Sequence, residues 1–240
     1  LNCKKCNDTH YLNVEIEGII HKKKCECFKK EIDEKMLVYK MHEAGLTDKE
    51  IEYDISMYKG EKSLDTIESI KKFVDVFEEK GKNIHLFMYG NASCQKTTVS
   101  KWMIKELVKK GISCKYILMN NLLNDVIIGS KFAENKEDAL FNFNSYLKCD
   151  FLVVDESFAK DRVTIYKSGY QISYIDQFLR ERLETLKKST LFISNYTIES
   201  IQSQGFNSYI QEIIFRNCHV LEFKDMYRRD LIKNNLSSIL

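Results

Sequence analysis

The sequence predicts an α/β fold built on a five-stranded parallel sheet, with a small cysteine-bearing module in front of it. Three observations carry this expectation: a glycine-to-threonine run at residues 90–98 between a strand-like and a helical segment, a later apolar run ending in two acids, and two close cysteine pairs near the N-terminus. Strand-like runs at Ile84 to Tyr89, Cys114 to Met119, Phe151 to Asp155, Thr190 to Ser194 and Cys218 to Phe223 alternate with helical periodicity. Such alternation implies a parallel sheet with helices on both faces.

The first run, Gly90-Asn91-Ala92-Ser93-Cys94-Gln95-Lys96-Thr97-Thr98, reads as a phosphate-binding loop with one substitution. The pattern asks for Gly, four variable residues and Gly-Lys-Ser/Thr, because backbone N–H groups curl around the phosphates and the Lys reaches them. Gln95 stands where the second Gly belongs, which puts in question the ease of the turn and the rate of hydrolysis. Ile84, Leu86, Phe87 and Met88 form the strand before the loop; Trp102, Ile104, Leu107 and Val108 recur at helical spacing after it. The loop therefore sits at a helix N-terminus, where the dipole favours anions. Lys96 would neutralise the terminal phosphates of ATP or ADP, and Thr97 would ligate Mg²⁺.

Asp150-Phe151-Leu152-Val153-Val154-Asp155-Glu156 is a buried-strand run that delivers two carboxylates to its C-terminal edge. Asp155 would hold the Mg²⁺ shell and Glu156 would orient or deprotonate the attacking water. The competing reading is an acidic helix cap. Thr190-Leu191-Phe192-Ile193-Ser194 is another such run, ending at Asn195, whose amide can read the γ-phosphate or the water.

Cys3-x-x-Cys6 and Cys25-x-Cys27 have the pattern of a four-thiolate Zn²⁺ site, which lends folding energy to a segment too small for its own core. Tyr11, Val14, Ile16, Ile19 and Ile20 read as a two-stranded ribbon turning near Gly18, with His10 and His21 as reserve ligands. A redox disulfide pair is the alternative. Cys94, Cys114, Cys149 and Cys218 read as buried or incidental, although Cys94 lies in the phosphate loop.

Residues 31–81 are charged and helical in pattern, with apolar stripes at Met36, Leu37, Met41 and Ala44 and at Ile67, Ile70, Phe73, Val74 and Phe77. The division expected is a zinc-binding module at 1–30, a helical linker at 31–81 and an ATPase domain at 82–240. The net charge of +2 is no footprint for tight non-specific nucleic-acid binding by the whole surface. No apolar stretch approaches a bilayer span and no secretory leader is expected, so the reading places the protein in the bacterial cytoplasm with no membrane partner.

Acids on the third core strand and Asn195 on the fourth suit an additional-strand (ASCE) P-loop ATPase of the AAA+ type. Counting the core strands from the first, the expected sheet order is 5-1-4-3-2.

On these motifs, together with the terminal Phe223-Lys224-Asp225-Met226-Tyr227-Arg228, the chain resembles the DnaC/DnaI-type replicative helicase loaders and the related IstB-like ATPases. The compact chain suits a phage-encoded member. The resemblance implies an ATP-dependent factor that binds the replicative helicase and single-stranded DNA and forms a homo-oligomer when ATP-bound. It implies that Arg228 approaches nucleotide from its own subunit, and that the helical stretch from Asn121 to Leu147 serves self-assembly or single-strand contact. Where the family's trans-acting Arg is expected this chain has Glu212, leaving Arg216 one turn later as the finger candidate, with Arg180 and Arg182 as alternatives. Two other readings stay open: a transposition helper ATPase on duplex DNA, and a zinc-containing scaffold whose loop senses nucleotide without turnover.

Overall fold

The computed structural model describes residues 3–131, 136–160, 162 and 170–225. The chain opens with an antiparallel ribbon of β1 (Tyr11–Ile16) and β2 (Ile19–Lys24). Glu17 and Gly18 both have positive φ at its two-residue turn, the geometry that matches strand twist in a hairpin. Helix α1 (Glu26–Glu43) follows at once, then α2 (Asp48–Ile51) and α3 (Leu64–Val76), which continues as a π turn at Phe77–Gly81.

α1 stops in a Schellman motif. Gly45 takes φ +95°, its N–H donates to His42 O, and Leu46 N donates to Met41 O, so two orphan carbonyls are satisfied. α2 starts with a capping box between Thr47 and Glu50.

The five strands expected from the sequence are present as β3 (His85–Gly90), β4 (Cys114–Leu118), β5 (Phe151–Asp155), β6 (Ser189–Ser194) and β7 (Cys218–Phe223). They form one parallel sheet in the order β4-β5-β6-β3-β7, which read from the other edge is the expected order 5-1-4-3-2. Between them run α4 (Lys96–Lys109), α5 (Met119–Lys131), α6 (Lys136–Lys148), α7 (Tyr170–Leu179), with a π continuation at Arg180–Thr185, and α8 (Ser208–Asn217). Asn207 caps α8 by accepting from Ile210 N at 2.9 Å.

Alternation along the strands builds two cores. Leu86, Met88, Phe151, Val153, Leu191 and Ile193 face one side with α4; Phe87, Leu152, Val154 and Phe192 face the other with α5, α7 and α8. Met41, Ala44, Ile67, Ile70, Val74 and Phe77, from the segment expected as a linker, are buried in the first core with α4. No helix among the described residues is long and apolar enough to cross a membrane.

Arg182 is the largest fully buried side chain of the sheet's second side. Its guanidinium donates to Leu147 O at 2.8 Å, Cys149 O at 3.1 Å, Ser189 O at 2.8 Å, Thr190 Oγ1 at 2.8 Å and also to Tyr146 O. It therefore closes the C-terminus of α6 onto β6 and has no surface to offer a neighbouring subunit or DNA, which corrects its expected alternative role. Arg182→Ala would leave these buried carbonyls short of donors and is expected to cost about 2 kcal/mol, measured by urea unfolding.

Candidate nucleotide site and cysteine cluster

Parallel strands bring the loop after β3, the acids ending β5 and Asn195 after β6 to one edge of the sheet. They border a cavity of about 500 Å³ lined by Ala92, Ser93, Cys94, Gln95, Lys96, Thr97, Thr98, Asp155, Glu156 and Asn195, among others. Gly90 ends β3 with φ +152°, and a Cβ there would lie 2.3 Å from Phe223 O, so only glycine fits between the two strands. Ser93 and Gln95 also take positive φ (67° each), Gln95 directly before α4. The turn thus forms with Gln95 in the left-handed region that the missing Gly would occupy freely, at a cost of roughly 1 kcal/mol. Its Oε1 lies 3.4 Å from Lys59 N.

Lys96 is buried, and its Nζ donates to Gly90 O at 2.7 Å, Asn91 O at 2.8 Å, Cys94 Sγ at 3.3 Å and Asn195 Oδ1 at 3.1 Å. Every one of these acceptors is neutral. A buried ammonium with neutral partners at a helix N-terminus fits an anionic ligand, because a negative charge there would offset the desolvation of the cation. Thr97 Oγ1 donates to Asp155 Oδ2 at 2.6 Å, and Glu156 N donates to Asp155 Oδ1 at 2.7 Å. Hydroxyl and carboxylate oxygens side by side suit a hard divalent cation such as Mg²⁺. Glu156 has φ 53°, and its Oε1 lies 3.7 Å from Arg162 Nη1, which also borders the cavity.

Sequence reasoning passed over Tyr116 and Arg162. Tyr116 OH donates to Asp155 Oδ2 at 2.7 Å from the neighbouring strand β4. Only strand pairing brings this tyrosine to the acid, so no local motif marks it. Arg216, the finger candidate, lies outside the cavity, exposed on α8 and paired with Glu212. Arg180 is paired with Asp176 and Glu184. Arg228 lies outside the described residues.

The sheet order, the loop and the acids after β5 together have the architecture of an additional-strand P-loop core. This is an AAA+ fold. Solved AAA+ structures match it: DnaI with a TM-score of 0.59 at 18% identity over 77% of this chain and 95% of that one, and the DnaC helicase loader with 0.56 at 18% over 74% and 100%. DnaA bound to AMPPCP and single-stranded DNA matches with 0.58 at 16% over 81% of this chain and 56% of that one. No protein-family profile and no curated protein sequence matches the chain. At these identities the likeness is one of fold.

In front of the AAA+ core the four N-terminal thiols converge. Cys3 Sγ lies 3.8 Å from Cys25 Sγ and Cys6 Sγ 3.4 Å from Cys27 Sγ, all four within 4.8 Å of one another. A tetrahedron of sulfurs about 2.3 Å from Zn²⁺ has edges of about 3.8 Å, so the set fits that ion. Cys25 and Cys27 sit at the start of α1. His10 Nδ1 is 3.9 Å from Cys27 Sγ and Nε2 is 3.5 Å from Glu31, beside the cluster; His21 is exposed on β2.

Proposed function

We propose that this protein is an ATP-dependent helicase-loading factor in DNA replication, with an N-terminal zinc module at 1–30, a helical segment at 31–81 and an AAA+ ATPase domain at 82–240. The observation that carries the reading is the meeting of Lys96, Thr97, Asp155, Glu156 and Asn195 around one open cavity. Residues 90–98 would hold the phosphates of ATP or ADP with their N–H groups, and Thr97 and Asp155 would hold Mg²⁺. Glu156 would take the proton of the attacking water. Asn195, already tied to Lys96, would exchange that bond for one to the γ-phosphate, so the loop and β6 respond together to the bound state.

The zinc module would bind the replicative helicase. Supporting this, Ile16, Ile19 and Ile20 on the ribbon are 54%, 63% and 69% exposed, an apolar surface on an otherwise lysine-rich hairpin. Single-stranded DNA, self-assembly in the ATP state with Arg216 as the finger candidate, approach of Arg228 to nucleotide in its own subunit, slow hydrolysis as the release step and a bacterial cytoplasmic site belong to the same reading. The solved structures of the DnaC helicase loader and of DnaA with single-stranded DNA support it by fold.

Nucleotide titration tests the site. Lys96→Ala removes the only cation among the described loop residues and is expected to weaken ATP affinity on the order of 100-fold. Unchanged affinity would remove the site assignment. Capture of purified helicase on the immobilised chain tests the partner, and failure of both the full chain and its zinc module to retain helicase would end that part.

A further inference from the structure

We propose that Tyr116 is a positioning residue of this nucleotide site: its hydroxyl fixes the Asp155 carboxylate that would hold Mg²⁺, while the N-terminal helical segment fixes Tyr116. The inference rests on the nucleotide reading above.

Tyr116 lies on β4, opposite Val153 of β5, and Leu118 is the residue opposite Asp155. The phenol therefore reaches along its own strand by two residues, on one face of the sheet, to meet the carboxylate. Asp155 Oδ2 accepts from both Tyr116 OH at 2.7 Å and Thr97 Oγ1 at 2.6 Å, and Oδ1 accepts from Glu156 N at 2.7 Å. Once Thr97 turns its oxygen to a cation, Tyr116 remains the one side-chain donor on Oδ2 among the described residues. Partners of this kind orient metal-holding carboxylates and raise metal affinity.

The other side of Tyr116 is held by residues far back in the chain. Its N–H donates to Ala44 O at 2.9 Å, directly after α1. A Cβ on Gly45 would stand 3.2 Å from Tyr116 O and 3.3 Å from its Cβ, so the Schellman turn packs flush on the tyrosine. Over the ring sits Lys101 Nζ, 4.4 Å from the centroid, and Lys101 is paired with Glu50 of the α2 capping box. The helix that docks here, α1, begins at the cysteine cluster and is 18 residues long. The position of the carboxylate is thus set jointly by β4 and by the docked end of α1.

The test uses the full chain, a fluorescent ATP analogue titrated with and without Mg²⁺, and melting curves without nucleotide. Tyr116→Phe deletes one oxygen. It is expected to raise the Mg²⁺ half-saturation by about tenfold while leaving Mg²⁺-free affinity and melting temperature unchanged. Lys101→Met is expected to shift the same quantity in the same direction, and the double variant to be no worse than Tyr116→Phe alone, since both act through one hydroxyl. An unchanged Mg²⁺ half-saturation for Tyr116→Phe overturns the proposal while the nucleotide reading stands. A parallel fall in Mg²⁺-free affinity and melting temperature also overturns it, as the mark of a purely structural tyrosine. If the natural chain binds the analogue no better than Lys96→Ala does, the nucleotide reading fails and the proposal fails with it.

Discussion

On the proposed ATPase reading, replacing Glu156 with Gln is expected to leave ATP bound and to slow its turnover by about 100- to 10,000-fold, the usual contribution of a positioned general base. The substitution keeps the side chain's shape and its reach from the end of β5 into the cavity, and removes only the ability to accept a proton. Glu156 sits at φ 53°, turned away from the extended path of β5, and this conformation sends its carboxylate to Arg162 rather than back onto Asp155. The two acids therefore differ in surroundings: Asp155 is enclosed by Thr97, Tyr116 and a backbone N–H, and Glu156 borders the cavity. Phosphate release from a single turnover, beside equilibrium binding of the same variant, checks this. A Gln variant that hydrolyses ATP at the natural rate would exclude Glu156 as the base.

On the proposed reading, removal of zinc is expected to unfold the ribbon module while the AAA+ core keeps the nucleotide affinity proposed for it. Among the described residues of that module Cys6, Cys25 and Cys27 are buried, with Cys3 and Leu12 packed on them, so apart from the thiols these residues form almost no apolar core. Structural zinc contributes apparent folding free energies of about 10–16 kcal/mol in small domains of this kind, far more than so small a cluster of side chains supplies. Without the ion, four thiols packed 3.4–3.8 Å apart in pairs have only weak hydrogen bonds to hold them. Chelation, or Cys6→Ser with Cys27→Ser, should erase the amide chemical-shift dispersion of residues 3–25. Helicase capture should be lost in the same samples, with ATP binding retained. A ribbon that keeps its dispersion in the metal-free protein would show that the thiols have another purpose.

Much of this molecule is legible in the sequence because its signals are local. Five apolar runs of strand length each became a strand, and the acids ending one and the amide ending another marked the sheet edge where the cavity lies, while the order of the strands was expected from the resemblance to the AAA+ type. The cysteine pairs were legible for the same reason: each is a short-range motif, and the Glu17-Gly18 turn brings one to the other. Gln95 was legible as a departure, but its consequence was not. Only the backbone shows that the residue accepts the left-handed conformation and that the turn closes around Lys96 all the same.

Other features depend on which strands become neighbours. Arg182 reads in the sequence as one of several arginines on a helix, yet packing buries it against the carbonyls ending α6. The apolar stripes of the helical segment at 31–81 read as core-facing, and Met41, Ile70 and Phe77 do lie in the sheet's core; which surface of the sheet they cover is decided only by the packing. The sequence by itself determined where the five strands run, the loop at 90–98 and the close spacing of the four cysteines, since each follows from periodicity or from spacing within a few residues; the strand order was expected only from the resemblance to the AAA+ type. The tertiary structure alone decided that Tyr116 meets Asp155 and that the end of α1 rests on Tyr116. Those pairings join residues far apart in the chain, and only β4 lying against β5 and α1 docking on β4 brings their atoms within bonding distance.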